Sequence, residues 1–229
     1  MAQTTVISFF KYSGFGSKWQ ALSRMGRPPL KGYNVKGLTF WKPLGSGSGN
    51  GFSIWPDFSV YGLLTVFDSE GDAYNFLSDQ VVSAYIEPSK AYSHILMHNI
   101  KAHGVWSQQQ PFNSSTAFDD SKPLAVITRA TIKPKLAYKF WKNVPSVSKS
   151  MDNYDGLLFS KGIGEWPILM QATFSLWNTG GQMMEYAYNN KKHAAMIKKT
   201  RELNWYSEEL FSRFHPFDSK GNFIKTLKF

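Results

Sequence analysis

One histidine, His193, is placed so that its side chain could bind a metal-containing group. It lies in the lysine-rich stretch NKKHAAMIKKTR, where small and apolar residues recur at helical spacing. On such a helix it flanks the inward stripe, beside Met196 and Ile197. Imidazole nitrogen is the commonest protein ligand of haem iron, and one ligand suffices because the porphyrin supplies four. The alternative left open by this position is a surface histidine on a solvated helix.

Another pair of histidines, His94 and His98, offers different chemistry. The spacing HxxxH brings two imidazoles to one side of a helix, where they can share a metal ion. No carboxylate stands at a convincing third position, although His103 follows on a predicted strand. His215, before Pro216, is predicted to end a helix and to be structural. The pair is therefore a weaker candidate than His193.

The sequence lacks the motifs of the common nucleotide-dependent and hydrolytic enzymes. SGSGNG, at residues 46–51, has neither the strand-to-helix frame nor the GK[ST] of a phosphate-binding loop. No G-x-G-x-x-G opens a dinucleotide-binding unit, and no G-x-S-x-G or H-E-x-x-H occurs. A self-sufficient flavin or nicotinamide oxidoreductase is thus disfavoured.

The secondary-structure elements that would position these residues occur twice in the chain, as an internal sequence repeat. LTFWKPLG (38–45) and LLFSKGIG (157–164) share the frame L-x-F-x-K-x-x-G, 119 residues apart, and at that offset residues 7–10 fall on residues 126–129. VYGLLTVF (60–67) then aligns with MQATFSLW (170–177) at an offset of 110, so the first copy carries nine extra residues in SGSGNGFSIW. Agreement in this order indicates an internal duplication.

Each copy is predicted to run strand, helix, strand, strand, helix, strand, the ferredoxin-like βαββαβ unit. We predict halves at residues 1–106 and 123–229 with a polar linker at 107–122, last strands at 100–106 and 222–229, and helix N-caps at 68–69 and 178–179. Packing the two sheets together gives the α+β class and a dimeric α+β barrel with helices outside. The pocket should lie between the sheet and the second-copy helix.

Composition bounds the environment and the partners. The 229 residues contain no cysteine and carry a net charge of +10. MAQTTVISFF does not resemble a signal peptide, and no apolar run is long enough to span a bilayer, so a cytoplasmic protein is expected. The charge favours polyanions, either nucleic acid or an anionic membrane surface. Nucleic acid is disfavoured because a duplicated sheet should bury the face on which bases would stack; peripheral docking on the inner face of the cytoplasmic membrane is expected.

Five blocks of the chain resemble the bacterial spheroidene monooxygenases, a family of carotenoid ketolases. They are FFKYSGFGSKWQALSRMG, GLTFWKPLGSGSGNGF, AVITRATI, LLFSKGIGEWP and NWYSEELFSRF, and the likeness covers residues 5 to about 215. The resemblance implies a haem b enzyme that uses O₂ to oxidise a terminal methylene of an acyclic carotenoid to a ketone. It also implies that His193, which stands where the family's C-terminal helix offers a histidine, is the iron ligand.

The remaining site residues are assigned by their chemistry. Arg129 is predicted to donate to bound oxygen or to pair with a haem propionate, and Lys161 and Gln171 are weaker candidates for the same roles. Met196 and Ile197 would contact the cofactor beside His193. The expected partners are a lipophilic substrate, an external electron donor such as a ferredoxin, and a second copy of the chain. A haem- or lipid-binding barrel without turnover is the alternative function.

Overall fold

The computed structural model describes residues 2–49, 53–143, 154–189 and 202–224. The first half of the chain forms four strands and three helices. Its elements are β1 (Thr4–Lys11), α1 (Phe15–Gly26), β2 (Leu38–Gly47), β3 (Pro56–Phe67), α2 (Glu70–Leu77), α3 (Gln80–Ile86) and β4 (Ala91–Gly104).

The second half repeats this order with fewer described helical residues. Its elements are β5 (Leu124–Ile132), a 3-10 turn (Pro134–Leu136), α4 (Ala137–Asn143), β6 (Leu157–Trp166), β7 (Met170–Trp177), α5 (Gly180–Asn189) and β8 (Tyr206–Gly221). Within the described ranges, no helix is both long and apolar enough to cross a bilayer.

The eight strands close into one antiparallel barrel in the order β1-β3-β2-β6-β7-β5-β8-β4. Successive side chains of a strand point to opposite faces of its sheet, so each strand contributes to the interior and to the outer, helix-facing side. Interior residues such as Ile7, Phe9, Ile127 and Phe174 form the largest core cluster. Outer residues such as Val6 and Phe10 pack instead in a separate cluster beneath the first-half helices. The predicted fold class is confirmed.

The two halves are equivalent down to strand register. Leu38 pairs with Phe67 as Leu157 pairs with Trp177, and both hairpins have an irregularity directly after that pair. Equivalent helices also begin alike: the Ser69 hydroxyl accepts from the backbone N–H of Asp72, and the Thr179 hydroxyl accepts from that of Gln182. The repeat therefore predicts both hairpins and both helix starts correctly.

The halves meet where β2 pairs with β6 and where β4 pairs with β8. At the first junction Gly45 is the register partner of Gly164, its own counterpart in the repeat. Two equivalent residues that face each other across antiparallel strands lie on a local twofold axis. The boundaries at residues 106 and 123 stay a prediction.

Three assignments made from the sequence were wrong. The last strands run over 91–104 and 206–221, so they begin well before the predicted strands at 100–106 and 222–229, of which residues 225–229 lie outside the described residues. His94 and His98 lie on β4, and His215 lies on β8, so none of them is on a helix. Ile7 pairs with Leu64 as Ile127 pairs with Phe174, so β1 aligns with β5 at an offset of 120, not 119. A one-residue shift exchanges the two faces of a strand.

Candidate functional site

The outer face of the second-half sheet differs most from its counterpart. Thr173, Thr128 and Phe211 are neighbours across β7, β5 and β8, and Arg213 and Ala130 lie two residues to either side on the same face. We call these five residues the second-half face. With rows of side chains about 6.6 Å apart and strands about 4.8 Å apart, it measures roughly 13 by 10 Å.

The equivalent first-half positions carry larger apolar side chains. Phe10 stands where the second half has Ala130, and Leu63 stands where it has Thr173. Phe10 is fully buried and its ring stacks on that of Tyr85 of α3, with the ring centroids 5.2 Å apart. Leu63 is 1 % exposed. Thr128 and Thr173 are only half-buried. The second-half face therefore carries smaller side chains than its first-half counterpart, although Ala130 itself is only 4 % exposed.

Arg213 adds a cation to this face. It occupies the position of Leu96, which is completely buried in the first half. Its guanidinium lies 5.2 Å from the Phe211 ring, and its Nε is buried without a hydrogen-bond partner among the described residues. A buried donor without a partner is costly, so it favours an anionic ligand group.

Two aromatic clusters stand at the ends of the second-half face. On one side Trp177 packs with Tyr186 and Met183 of α5. On the other, Phe140 and Trp141 of α4 pack with the fully buried Trp205. The two clusters therefore flank the second-half face.

His193, Met196 and Ile197 lie outside the described residues, so the iron-ligand prediction stays a prediction. His94 is described, and it lies beside Ser8 on the outer face of the first-half sheet, which we call the first-half face. Its Nδ1 is 2.7 Å from the Ser8 hydroxyl, and its ring packs against Phe10 and Tyr92. Burial, with a smaller contribution from Lys220, lowers the pKa of His94 to about 4. The described residues contain no cluster of three or more potential metal-ligating side chains.

Arg129 is directed into the barrel, away from the second-half face. It occupies the interior position of Phe9 in the repeat, and its side chain is 2 % exposed. Its guanidinium is paired with Glu208 and, at 3.3 Å, with Glu165. Glu165 also accepts from Lys42 at 2.9 Å and from the Trp106 indole at 2.7 Å. The group is an ionic network in which Arg129 Nε is left without a hydrogen-bond partner among the described residues.

The same network holds Glu208 ionised. Burial acts to raise its pKa, but the backbone N–H groups of Gln108 and Ser107, together with Arg129, lower the pKa below the usual range. Arg129 points into the barrel and is already paired with two carboxylates, so it offers no hydrogen-bond donor to a cofactor on the second-half face. That role stays a prediction.

Lys161 and Gln171 are also separated from each other. Lys161 is the repeat counterpart of Lys42 and binds the carboxylate of Asp57 at 2.8 Å. Burial acts to raise the pKa of Asp57, while Lys161 and Ser59 lower it, and the net direction is downward. Gln171 donates to the carbonyl oxygen of Trp166 and lies on the outer side, directly across from Ala130. The three predicted polar residues thus have different partners, but Gln171 and the carboxylates paired with the other two, Asp57 and Glu165, line the same groove.

Gln171 also lines an open groove at the junction of β2 and β6. Leu22 and Met25 of α1, Ile54 and Phe58 before and in β3, and Trp166 and Ile168 of the β6–β7 hairpin form its walls. The cavity volume of the groove is about 150 Å³. Through Gln171 it is continuous with the edge of the second-half face.

Arg213, Thr128 and Thr173 were missed at the level of sequence. The pairing of the two copies at an offset of 120 in the first strand would have placed Thr128 and Ala130 outward. Arg213 required the pairing of β8 with β5, which places it beside Val126, 87 positions earlier in the chain.

Comparison with known proteins decides the family. Over 223 residues the chain is 32 % identical to a spheroidene monooxygenase of Rhodobacter capsulatus, covering 95 % of this chain and 92 % of that protein. The chain belongs to the spheroidene monooxygenase family. It is 30 % identical to the homologue of Cereibacter sphaeroides over 221 residues, which covers 96 % of this chain and 68 % of that protein. No family model matches the sequence.

As a spheroidene monooxygenase homologue, the chain is a monooxygenase. Its fold also resembles that of a solved aldoxime dehydratase, with a TM-score of 0.63, 11 % identity, and coverage of 95 % of this chain and 82 % of that one. At this identity the likeness concerns the fold alone.

Proposed function

We propose that this monooxygenase depends on haem and oxidises C–H bonds of a carotenoid-like or other lipophilic substrate with O₂, successively to the alcohol and the ketone. The observation that carries the proposal is the exchange of Phe10 and Leu63 for Ala130 and Thr173 between otherwise equivalent sheet faces. Dense packing against the sheet is the rule in protein interiors, so loss of two large side chains in one half favours a bound group there.

The residues of the second-half face fit a haem. Thr128, Thr173 and Ala130 offer short side chains against which the ring could lie, and Arg213 offers a half-buried cation whose buried Nε is available to a propionate. His193 follows α5 in sequence by four residues and would provide the axial nitrogen. Bound haem would supply the redox-active iron at which O₂ is reduced, with electrons from an external donor such as a ferredoxin.

The groove supports the choice of a lipophilic substrate. Its walls are mostly apolar, and both carboxylates that line it, Asp57 and Glu165, are ion-paired. An extended apolar chain could lie along Leu22, Phe58 and Trp166 while its end reaches Gln171. Gln171, at the edge of the second-half face, is then positioned to donate a hydrogen bond near the reacting carbon.

The experiment is a visible spectrum of the haem-reconstituted protein and of its His193→Ala variant. Alanine removes the nitrogen and keeps helix propensity, so the variant should fold and lose the haem spectrum or show an altered one without oxygenation. His98→Ala, a half-buried histidine paired with Glu70 on the first-half side, should keep both spectrum and activity. A wild-type spectrum in His193→Ala would contradict the assignment of His193 as the iron ligand. If the wild-type protein binds haem but does not turn over a carotenoid, the alternative function, a haem-binding protein without turnover, is supported instead.

A further inference from the structure

The groove is surrounded by exposed aromatic side chains that no described contact explains. They are Phe15 and Trp19 of α1, Trp55 and Phe58 beside the start of β3, and Trp166 of the β6–β7 hairpin, with exposed fractions of 85, 64, 73, 51 and 64 %. We call these five residues the aromatic rim. Soluble surfaces seldom group so many large apolar side chains, and such groups mark interaction sites.

The rim is continuous with the groove. Phe15, Trp19 and Leu22 are spaced i, i+4 and i+7 on α1, so they share one helix face, and Leu22 is itself a groove wall. Trp55 lies between two other groove residues, Ile54 and Pro56. The rings therefore stand around the groove mouth and are not scattered over the molecule.

The elements beside the rim are positively charged. Residues 11–31, which contain α1, include five basic and no acidic residues, and residues 133–143, which contain α4, include four lysines and no acidic residue. α4 is fixed to the hairpin because the Trp141 indole donates to the Ile168 carbonyl oxygen at 3.0 Å. Basic groups near an anionic lipid surface each add about 1 kcal/mol of attraction.

This combination selects between two occupants of the rim. A second copy of the chain would bring the same patch against itself, because twofold interfaces are self-complementary, and would set two acid-free basic helices against each other. An anionic bilayer offers opposite charge to the helices and an interfacial zone in which tryptophan and phenylalanine rings are favourable.

We propose that the aromatic rim docks the protein on an anionic bilayer, with the groove mouth facing the lipid. An apolar substrate dissolved in the membrane then enters the groove without crossing water. The docking itself does not depend on haem. It extends the proposed function by stating that the substrate is taken up from the membrane.

The test is co-sedimentation of the full chain with vesicles of phosphatidylglycerol and phosphatidylcholine. Trp55→Ser/Trp166→Ser should bind the mixed vesicles at least about tenfold more weakly, since two interfacial rings are lost. The matched control is Leu158→Ser, which removes a 46 % exposed side chain at the far end of β6 and should bind like wild type.

Charge is tested separately with Lys18→Glu/Lys135→Glu, which should also weaken binding by about tenfold or more. Wild-type binding should fall between about 0.1 and 1 M salt, where the screening length drops from about 10 to 3 Å. Unchanged binding of Trp55→Ser/Trp166→Ser, or equal binding to pure phosphatidylcholine, would overturn the proposal. The proposal would also be overturned if the wild-type protein were a dimer that does not bind vesicles and that Trp55→Ser/Trp166→Ser converts to monomers.

Haem content distinguishes this proposal from the proposed function. Trp55→Ser/Trp166→Ser should hold as much haem as wild type, because neither ring belongs to the second-half face. If the wild-type chain binds vesicles but no haem, the proposed function fails and the docking surface stands.

Discussion

Ala130 on β5 occupies the position that Phe10 occupies on β1, on the same face of an equivalent sheet. Phe10 is fully buried and stacks on Tyr85, whereas Ala130 presents a single methyl group at the equivalent and likewise buried position. A duplicated scaffold keeps its register and changes its side chains, so the difference between these two residues locates the specialised half.

Ala130→Phe should abolish haem binding without unfolding the chain. The ring has a precedent at Phe10 in the same backbone setting, so a phenylalanine there is compatible with the strand and would occupy the proposed haem space. The measurement is haem titration followed by visible absorbance, with circular dichroism to establish folding.

Thr128→Ser is the matched control for that variant. Ser8 is the first-half counterpart of Thr128, and this replacement adds no volume to the second-half face. Haem affinity should remain close to wild type. If a folded Ala130→Phe variant binds haem as well as Thr128→Ser does, the group does not lie on this face.

Arg213→Leu imports the residue of the equivalent first-half position, Leu96. It removes the cation proposed to hold a propionate, and a hydrogen bond to a charged group contributes about 1.5–3 kcal/mol. Haem affinity should therefore fall about 10- to 100-fold. Arg213→Lys should lose less, because the charge remains. Equal affinities of the wild-type and Arg213→Leu proteins would remove Arg213 from the site.

The sequence predicts the hairpins of this fold better than its faces. Leu38 and Gly45, with Leu157 and Gly164, anchor the alignment of the two halves because glycine turns and irregular pairs recur at fixed places. The first strand has no such anchor, and its near-continuous apolar run permits an alignment shifted by one residue, which exchanges the two faces of the strand.

The histidine spacing failed for a related reason. Residues four apart share a face on both a helix and a strand, so HxxxH at His94 and His98 is compatible with either. The network of Arg129 with Glu208 joins strands 79 residues apart in the chain, and no local pattern indicates that pairing. Long-range partners of this kind become visible only when the barrel closes.

His94 should make the wild-type protein less stable in acid. Its pKa is lowered to about 4 in the fold from the ordinary value of 6.5, so its contribution to stability is complete above pH 6.5 and is lost as the pH falls towards 4. Between about pH 7.5 and pH 5 this amounts to about 2 kcal/mol of unfolding free energy.

His94→Gln should remove that part of the pH dependence while keeping a polar partner for Ser8. Urea unfolding of both proteins at the two pH values checks it, and haem content should be unchanged because His94 is on the first-half face. Parallel pH profiles of the two proteins would show that His94 is not buried as a neutral imidazole.

Arg129→Met should strongly destabilise the fold while leaving haem affinity unchanged. Removing the guanidinium leaves Glu208 in the barrel without its ion pair, and loss of one member of a buried pair costs about 3–5 kcal/mol. Arg129→Met/Glu208→Leu removes both charges and should recover part of the loss. The pKa of Glu208 is lowered in the fold, so its carboxylate stabilises the wild-type protein above the ordinary glutamate range and stops doing so as it protonates. The difference in unfolding free energy between wild type and Arg129→Met should therefore shrink in acid. Urea unfolding at neutral and acid pH measures both effects. A folded Arg129→Met protein that loses haem would instead support the role at the cofactor that the sequence alone suggested for this residue.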